Sequence, residues 1–201
     1  MIQPEYKVDR DYLISTTRDL IRIPSENPPG RAAKLARHIA ALLTEEGFKV
    51  RLQPVSEDRL NVIAELCGCQ NGPTLVLNGH LDVVPAVGTW KHPPFDATID
   101  KGRIYGRGAA DMKAGLAAMI SAVKTVKDNA VPIKGRLILA FVADEEVGNK
   151  GTKAFLQEYE NVQYAVIGEP TQMELAIAHR GCCSFRITAY GSTGHASEPE
   201  K

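Results

Sequence analysis

Arg136-Leu-Ile-Leu-Ala-Phe-Val-Ala-Asp-Glu-Glu146 is the stretch on which the fold turns. From Arg136 to Val142 the run has no polar alternation, so it reads as a strand buried on both faces rather than one side of an exposed sheet. It stops abruptly in Asp144-Glu-Glu146. Two other stretches repeat the design: Thr74-Leu-Val-Leu-Asn78 runs into Gly-His-Leu-Asp82, and Tyr164-Ala-Val-Ile167 runs into Gly-Glu-Pro170. Between them lie helical patterns at Met112–Lys127, with Leu116, Met119, Ile120 and Val123 inward, and at Lys150–Tyr159. Buried strands alternating with amphipathic helices predict an α/β fold with a mixed, mainly parallel sheet flanked by helices.

Outward from this core, Asp9–Arg22 reads as a helix that Pro24 stops. Ala32–Glu46 reads as a second, with Gly47 as its C-cap. Phe48–Leu52 and Asn61–Leu66 are expected as antiparallel neighbours, and Ile99–Tyr105 as a hairpin turning at Lys101-Gly102. Ser184–Tyr190 alternates apolar with polar residues, which suits a half-exposed strand of a different sheet. A boundary is therefore expected near Gly181, with residues 1–181 as one domain and 182–201 as the start of a second, α+β domain. One strand and a loop do not make a domain, so the chain reads as a fragment.

The 201 residues balance 24 Lys+Arg against 24 Asp+Glu and are 44% apolar, which excludes a basic nucleic-acid-binding domain and a disordered tail. No run approaches the roughly 18 apolar residues of a membrane span. Met1–Arg10 is too charged for a secretory signal, so a cytoplasmic location is expected. Cys67, Cys69, Cys182 and Cys183 lack zinc-site spacing and are expected to be reduced.

In open α/β sheets the ligand crevice lies at the carboxyl ends of the strands. There the chain offers His80 and Asp82, then Asp144, Glu145 and Glu146, then Glu169, with Asp111 at the start of the Met112 helix. Taken alone, Asp111 is a helix cap, and Asp144-Glu-Glu146 a solvated acidic loop. Taken together, so many carboxylates around one imidazole repel one another unless cations hold them. One nitrogen with several carboxylate oxygens suits zinc, cobalt or manganese. The number of donors exceeds one tetrahedral ion, and two metals sharing a carboxylate would use them. Asp82, two residues from His80, can orient the imidazole. Glu145 and Glu146 must diverge, so that one ligates while the other serves as general base. Trp90 and Phe95 line a substrate pocket or pack on each other. Gly106-Arg-Gly-Ala-Ala-Asp111 starts like a dinucleotide fingerprint but has an acid where the last glycine belongs.

Asn78-Gly-His-Leu-Asp-Val-Val-Pro85, Tyr105-Gly-Arg-Gly-Ala-Ala-Asp-Met-Lys113, Asp144-Glu-Glu-Val-Gly148 and Ile167-Gly-Glu-Pro-Thr171 occur in order. In this the chain resembles the co-catalytic zinc peptidases and deacylases that include acetylornithine deacetylase, succinyl-diaminopimelate desuccinylase, carboxypeptidase G and the aminoacylases. The resemblance spans roughly Asp9 to Lys201 and implies a zinc-exopeptidase-like fold. It implies two divalent ions, Zn2+ first and Co2+ or Mn2+ as alternatives, with His80 and Glu169 on one, Glu146 on the other and Asp111 bridging. It implies Glu145 as general base and Asp82 as the orienter of His80. Gly191-Ser-Thr-Gly-His-Ala-Ser197 resembles the smaller, dimerising lid domain, and implies that His195 reaches a partner subunit's site. The family closes its second metal site with a histidine far toward the C-terminus, which no residue of this chain matches. The expected activity is deacylation of an N-acyl amino acid by a full-length homodimer, with no nucleic-acid or membrane partner. The alternatives are a dipeptidase or carboxypeptidase, or a non-catalytic binding protein on the same scaffold.

Overall fold

The computed structural model describes residues 6–68 and 70–174, with isolated positions 177, 178, 181, 185, 187, 188 and 190. His179, Arg180, His195, Cys69, Cys182 and Cys183 lie outside the described residues. The chain forms two compact units, residues 1–170 and 171–201; the first holds every element named here.

The order is α1 (Arg10–Ile21), α2 (Ala33–Glu45), β1 (Lys49–Ser56), β2 (Arg59–Cys67), β3 (Gln70–His80), β4 (Thr98–Asp100), β5 (Arg103–Tyr105), α3 (Ala114–Asp128), β6 (Lys134–Val142), α4 (Lys150–Glu158) and β7 (Tyr164–Ile167). The large sheet runs β1-β2-β6-β3-β7, and β4 and β5 form a separate hairpin. β2 pairs antiparallel with β1 and β6, whereas β3 pairs parallel with β6 and β7. The sheet is therefore mixed.

Alternation along β2 and β6 sorts the core into two layers. Val62, Ala64, Leu139 and Phe141 face α1, α2 and α3, where they meet Leu20, Leu35, Ile39, Leu116 and Ile120. Ile63, Ile138, Ala140 and Val142 face the other way and pack with Phe155 of α4. Both faces of β6 are thus covered, as its unbroken apolar run requires. α1 begins at the Asp9 cap, whose carboxylate accepts from the amides of Asp11 and Tyr12. Gly47, at φ +79°, reverses the chain after α2.

Two expectations need correction. β7 is not buried: Tyr164, Ala165, Val166 and Ile167 are all exposed. It lies at the sheet edge, while α3 packs over β3 and β6 and α4 over β1, β2 and β6. The helix expected from Met112 begins instead at Ala114, after a separate turn at Ala109–Lys113 in which Asp111 and Met112 have non-helical φ and ψ. Among the described residues no helix is long and apolar enough to cross a membrane.

Candidate metal centre

β6, β3 and β7 are neighbours and parallel, so their carboxyl ends open on one edge. The register pairs His80 with Val142 and Asn78 with Ile167. The residues at or just after each strand end, 80–82, 144–146 and 169, therefore meet although they are far apart in sequence.

His80 sits at the centre, 2% exposed. Its Nδ1 lies 2.8 Å from the Asp82 carbonyl oxygen, which assigns the ring proton to that nitrogen, and its Nε2 lies 2.9 Å from Asp111 Oδ1. Glu169 Oε1 is 3.4 Å from the same Nε2. The His80 amide donates to Met112 Sδ at 3.1 Å. His80, Asp111 and Glu146 each offer one donor atom, and these lie within 4.8 Å of one another.

Asp111 owes its position to the turn before α3. Gly108 takes φ +78°, the Asp111–Met112 peptide is cis, and Asp111 itself is extended at φ −117°, ψ 100°. No side chain caps α3. The cap reading of Asp111 is thereby excluded: its carboxylate points at His80.

Asp82 is buried, and its carboxylate does not reach the ring as a hydrogen-bond acceptor, lying 3.9 Å from Nδ1. It accepts instead from the amides of Glu145 at 3.1 Å and Glu146 at 3.2 Å, and from Asn27 Nδ2 at 2.9 Å. Asp82 thus serves the ring through its carbonyl and the acidic loop through its carboxylate. Asp144 turns away from the centre. At φ +70° it buries its side chain beside Arg59, with Nε 3.0 Å from Oδ1. Glu145 and Glu146 are half-buried at the rim.

The electrostatics show a cluster short of positive charge. Burial disfavours a charged His80 ring. The Asp82 carbonyl and the carboxylates of Glu169, Asp82 and Asp111 outweigh it, and the pKa rises. Burial first, and then the Asp111 charge, raise Glu146; burial, with Asp111 and Glu145 behind it, raises Glu169. One imidazole nitrogen and several converging carboxylate oxygens, with Glu146 and Glu169 raised chiefly by burial, form a donor set that fits a divalent cation.

Asn27, Arg59, Met112 and Lys113 escape the sequence reading. Each lies in a segment that reads as loop, hairpin or helix, and no local pattern signals its partners. Trp90 lines a cavity of about 460 Å³ beside Ala109 and Ala110, with Arg107 5.0 Å over its ring. Phe95 stays outside that cavity.

The family model for peptidase family M20/M25/M40 matches residues 76–198. A succinyl-diaminopimelate desuccinylase of Methylobacterium radiotolerans is 35% identical over 207 residues, covering 95% of this chain and 52% of its own length. An N-formyl-4-amino-5-aminomethyl-2-methylpyrimidine deformylase of Halalkalibacterium halodurans is 35% identical over 172 residues, covering 83% and 40%. Among solved structures, an M20 family metallo-carboxypeptidase from Sulfolobus solfataricus aligns with TM-score 0.70 and 26% identity, over 80% of this chain and 37% of its own. The chain spans about half the length of the curated relatives it matches.

Proposed function

This chain belongs to peptidase family M20/M25/M40, and from that premise we propose that it carries the metal site of a hydrolase that deacylates N-acyl amino acids. The observation that supports this reading is the convergence of His80, Asp111 and Glu146 donor atoms within 4.8 Å at the carboxyl edge of the sheet. His80, Asp111, Glu146 and Glu169 would hold two divalent ions, with Asp111 shared between them and zinc the first choice. Such ions, when bound, supply Lewis acidity toward the scissile carbonyl and acidify the attacking water.

The chain's own residues do the rest. Glu145 takes the proton of the attacking water and returns it to the leaving amine. The Asp82 carbonyl holds the Nδ1 proton of His80, so Nε2 faces the carboxylates and, on the neutral ring, is the nitrogen that would bind a cation. Asp82 holds the amides of Glu145 and Glu146, which fixes the loop that carries the two side chains. In the same reading residues 1–181 belong to the catalytic domain. Residues 182–201 open a lid domain that makes the protein a homodimer, with His195 serving the partner's site.

Desuccinylases among the relatives favour a dicarboxylic acyl group. The metallo-carboxypeptidase neighbour favours a peptide as the second reading. The test is hydrolysis by the full-length, Zn2+-loaded protein of N-succinyl-diaminopimelate, N-acetylornithine and a dipeptide series. Cleavage of an N-acyl amino acid is expected, abolished by chelation and reduced at least ~10²-fold in Glu145→Gln at unchanged metal content. Turnover by Glu145→Gln at the parent rate removes Glu145 from its role. Cleavage of dipeptides alone selects the second reading.

A further inference from the structure

We propose that Asn27 and Arg59 form a clasp that positions the loop carrying Glu145 and Glu146, a role that builds on the metal-site reading but touches none of its donor atoms. Asp82 and Asp144 are two carboxylates at 1% and 2% exposure. The side-chain amide of Asn27 joins them, with Nδ2 2.9 Å from Asp82 Oδ2 and 3.1 Å from Asp144 Oδ1. An amide nitrogen has two N–H groups, one for each carboxylate, and Asn27 is itself 1% exposed.

Two buried carboxylates sharing a neutral donor repel each other, and Arg59 supplies the compensating charge. Its Nε lies 3.0 Å from Asp144 Oδ1, and its Nη2 donates to Asn27 Oδ1 at 3.4 Å and to the Pro29 carbonyl at 3.3 Å. The guanidinium therefore grips the Asp144 end of the bridge and the Asn27 amide itself. Room for it comes from Gly30, at φ +90°, where a Cβ would collide with the Arg59 guanidinium. The backbone at position 30 is thus shaped around that side chain.

What the clasp holds follows from the other contacts of its two carboxylates. Asp82 spends its two oxygens on the amides of Glu145 and Glu146 as well as on Asn27. Asp144 is the residue immediately before them, and its carbonyl accepts from the amides of Gly148 and Asn149. The loop is therefore pinned at its entry through Asp144 and along its middle through Asp82, and both pins meet at Asn27. Loosening the clasp lets the backbone of 144–146 shift, and the side chains of Glu145 and Glu146 shift with it. Asn27 and Arg59 are positioning residues, acting through the two aspartates.

The experiment compares the parent chain with Asn27→Ala and with the double variant Arg59→Met/Asp144→Asn, which removes both members of the ion pair and leaves no new buried charge. Three quantities are read on protein shown to be folded by circular dichroism: hydrogen exchange at the Glu145 and Glu146 amides without metal, the Co2+ dissociation constant, and the Co2+ visible spectrum. Faster exchange at those two amides is expected, with Co2+ affinity lower by roughly 10- to 100-fold and an altered spectrum. A purely structural role would lower the melting temperature and leave these three unchanged in the folded protein, which would overturn the proposal. If Asn27→Ala does not fold, the double variant decides. If the parent chain binds no Co2+, the metal reading fails separately, and amide exchange decides the clasp: unchanged exchange refutes it.

Discussion

Lys113 carries an ammonium group into the core with no exposure, where its Nζ donates to the Ile23 carbonyl at 2.8 Å. Burial pushes its pKa from 10.5 down to about 7, against a smaller upward pull from Glu26. The folded chain therefore binds fewer protons than the unfolded one between about pH 7 and pH 10.5, and stability rises with pH across that window. Each pH unit well above the folded pKa contributes about 1.4 kcal/mol, and the group is still half-protonated at pH 7, so metal-free protein should gain roughly 2 kcal/mol between pH 7 and pH 9 from it. Lys113→Met, which fills the same space without charge, should flatten that rise when melting is followed at both pH values. An identical pH profile in the variant would show that the amine is solvated. At the same scale, Asp111 meets Nε2 of His80 from a turn that caps nothing. Asp111→Ala should therefore leave the melting temperature of metal-free protein within a few degrees of the parent. The same variant should lose bound metal by elemental analysis, whereas retention of tightly held ions would refute its bridging role.

α3 reaches the site through its first turn. A Cβ at Gly115 would stand 2.6 Å from the Gly168 carbonyl oxygen, and one at Gly168 would stand 3.0 Å from Met112 Cε. The helix thus sits directly against Gly168, the residue after β7, with Asp111 just before the contact and Glu169 just after it. Gly115→Ala gains about 1 kcal/mol of helix propensity. It also drives a methyl into a backbone carbonyl that cannot rotate aside, an overpacking cost of about 1–3 kcal/mol. Net destabilisation is expected in thermal melts. Weaker Co2+ binding should accompany it, because the contact separates the elements that carry Asp111 and Glu169. An Ala variant as stable as the parent, with unchanged Co2+ affinity, would mean that α3 and the 168 loop are free to part.

At the scale of the whole molecule, the two sheet edges differ. β1 carries Lys49, Arg51 and Pro54, which blunt an edge against pairing with another chain. β7 exposes Tyr164, Val166 and Ile167, and among the described residues no element pairs with its outer side. An exposed apolar edge invites association. The 201-residue chain should therefore self-associate with rising concentration in sedimentation, and Val166→Lys should reduce this without changing Co2+ affinity. A parent chain that stays monomeric throughout would show that this edge is innocuous.

Strand type, helix spacing and the acidic residues trailing each strand are local patterns, and the sequence alone determined them. Periodicity and residue type need no neighbour to be read, so β6 was legible as a doubly covered strand and His80, Asp111, Glu145, Glu146 and Glu169 as candidates for one edge. The tertiary structure decided what depends on distance in space. It placed Asp111 in a turn rather than on a cap, because the chain must leave β5 and meet His80 before α3 can begin. It sent Asp144 to Arg59, and it gave the Asp82 carboxylate the loop amides while the Asp82 carbonyl kept the ring. It brought Asn27 to both aspartates from a proline-rich loop that looks featureless in sequence. It also left β7 exposed, because apolar content shows that a strand favours cover but not which element covers it. Pairing of charges and burial of edges are properties of the assembled sheet, and no window of neighbouring residues contains them.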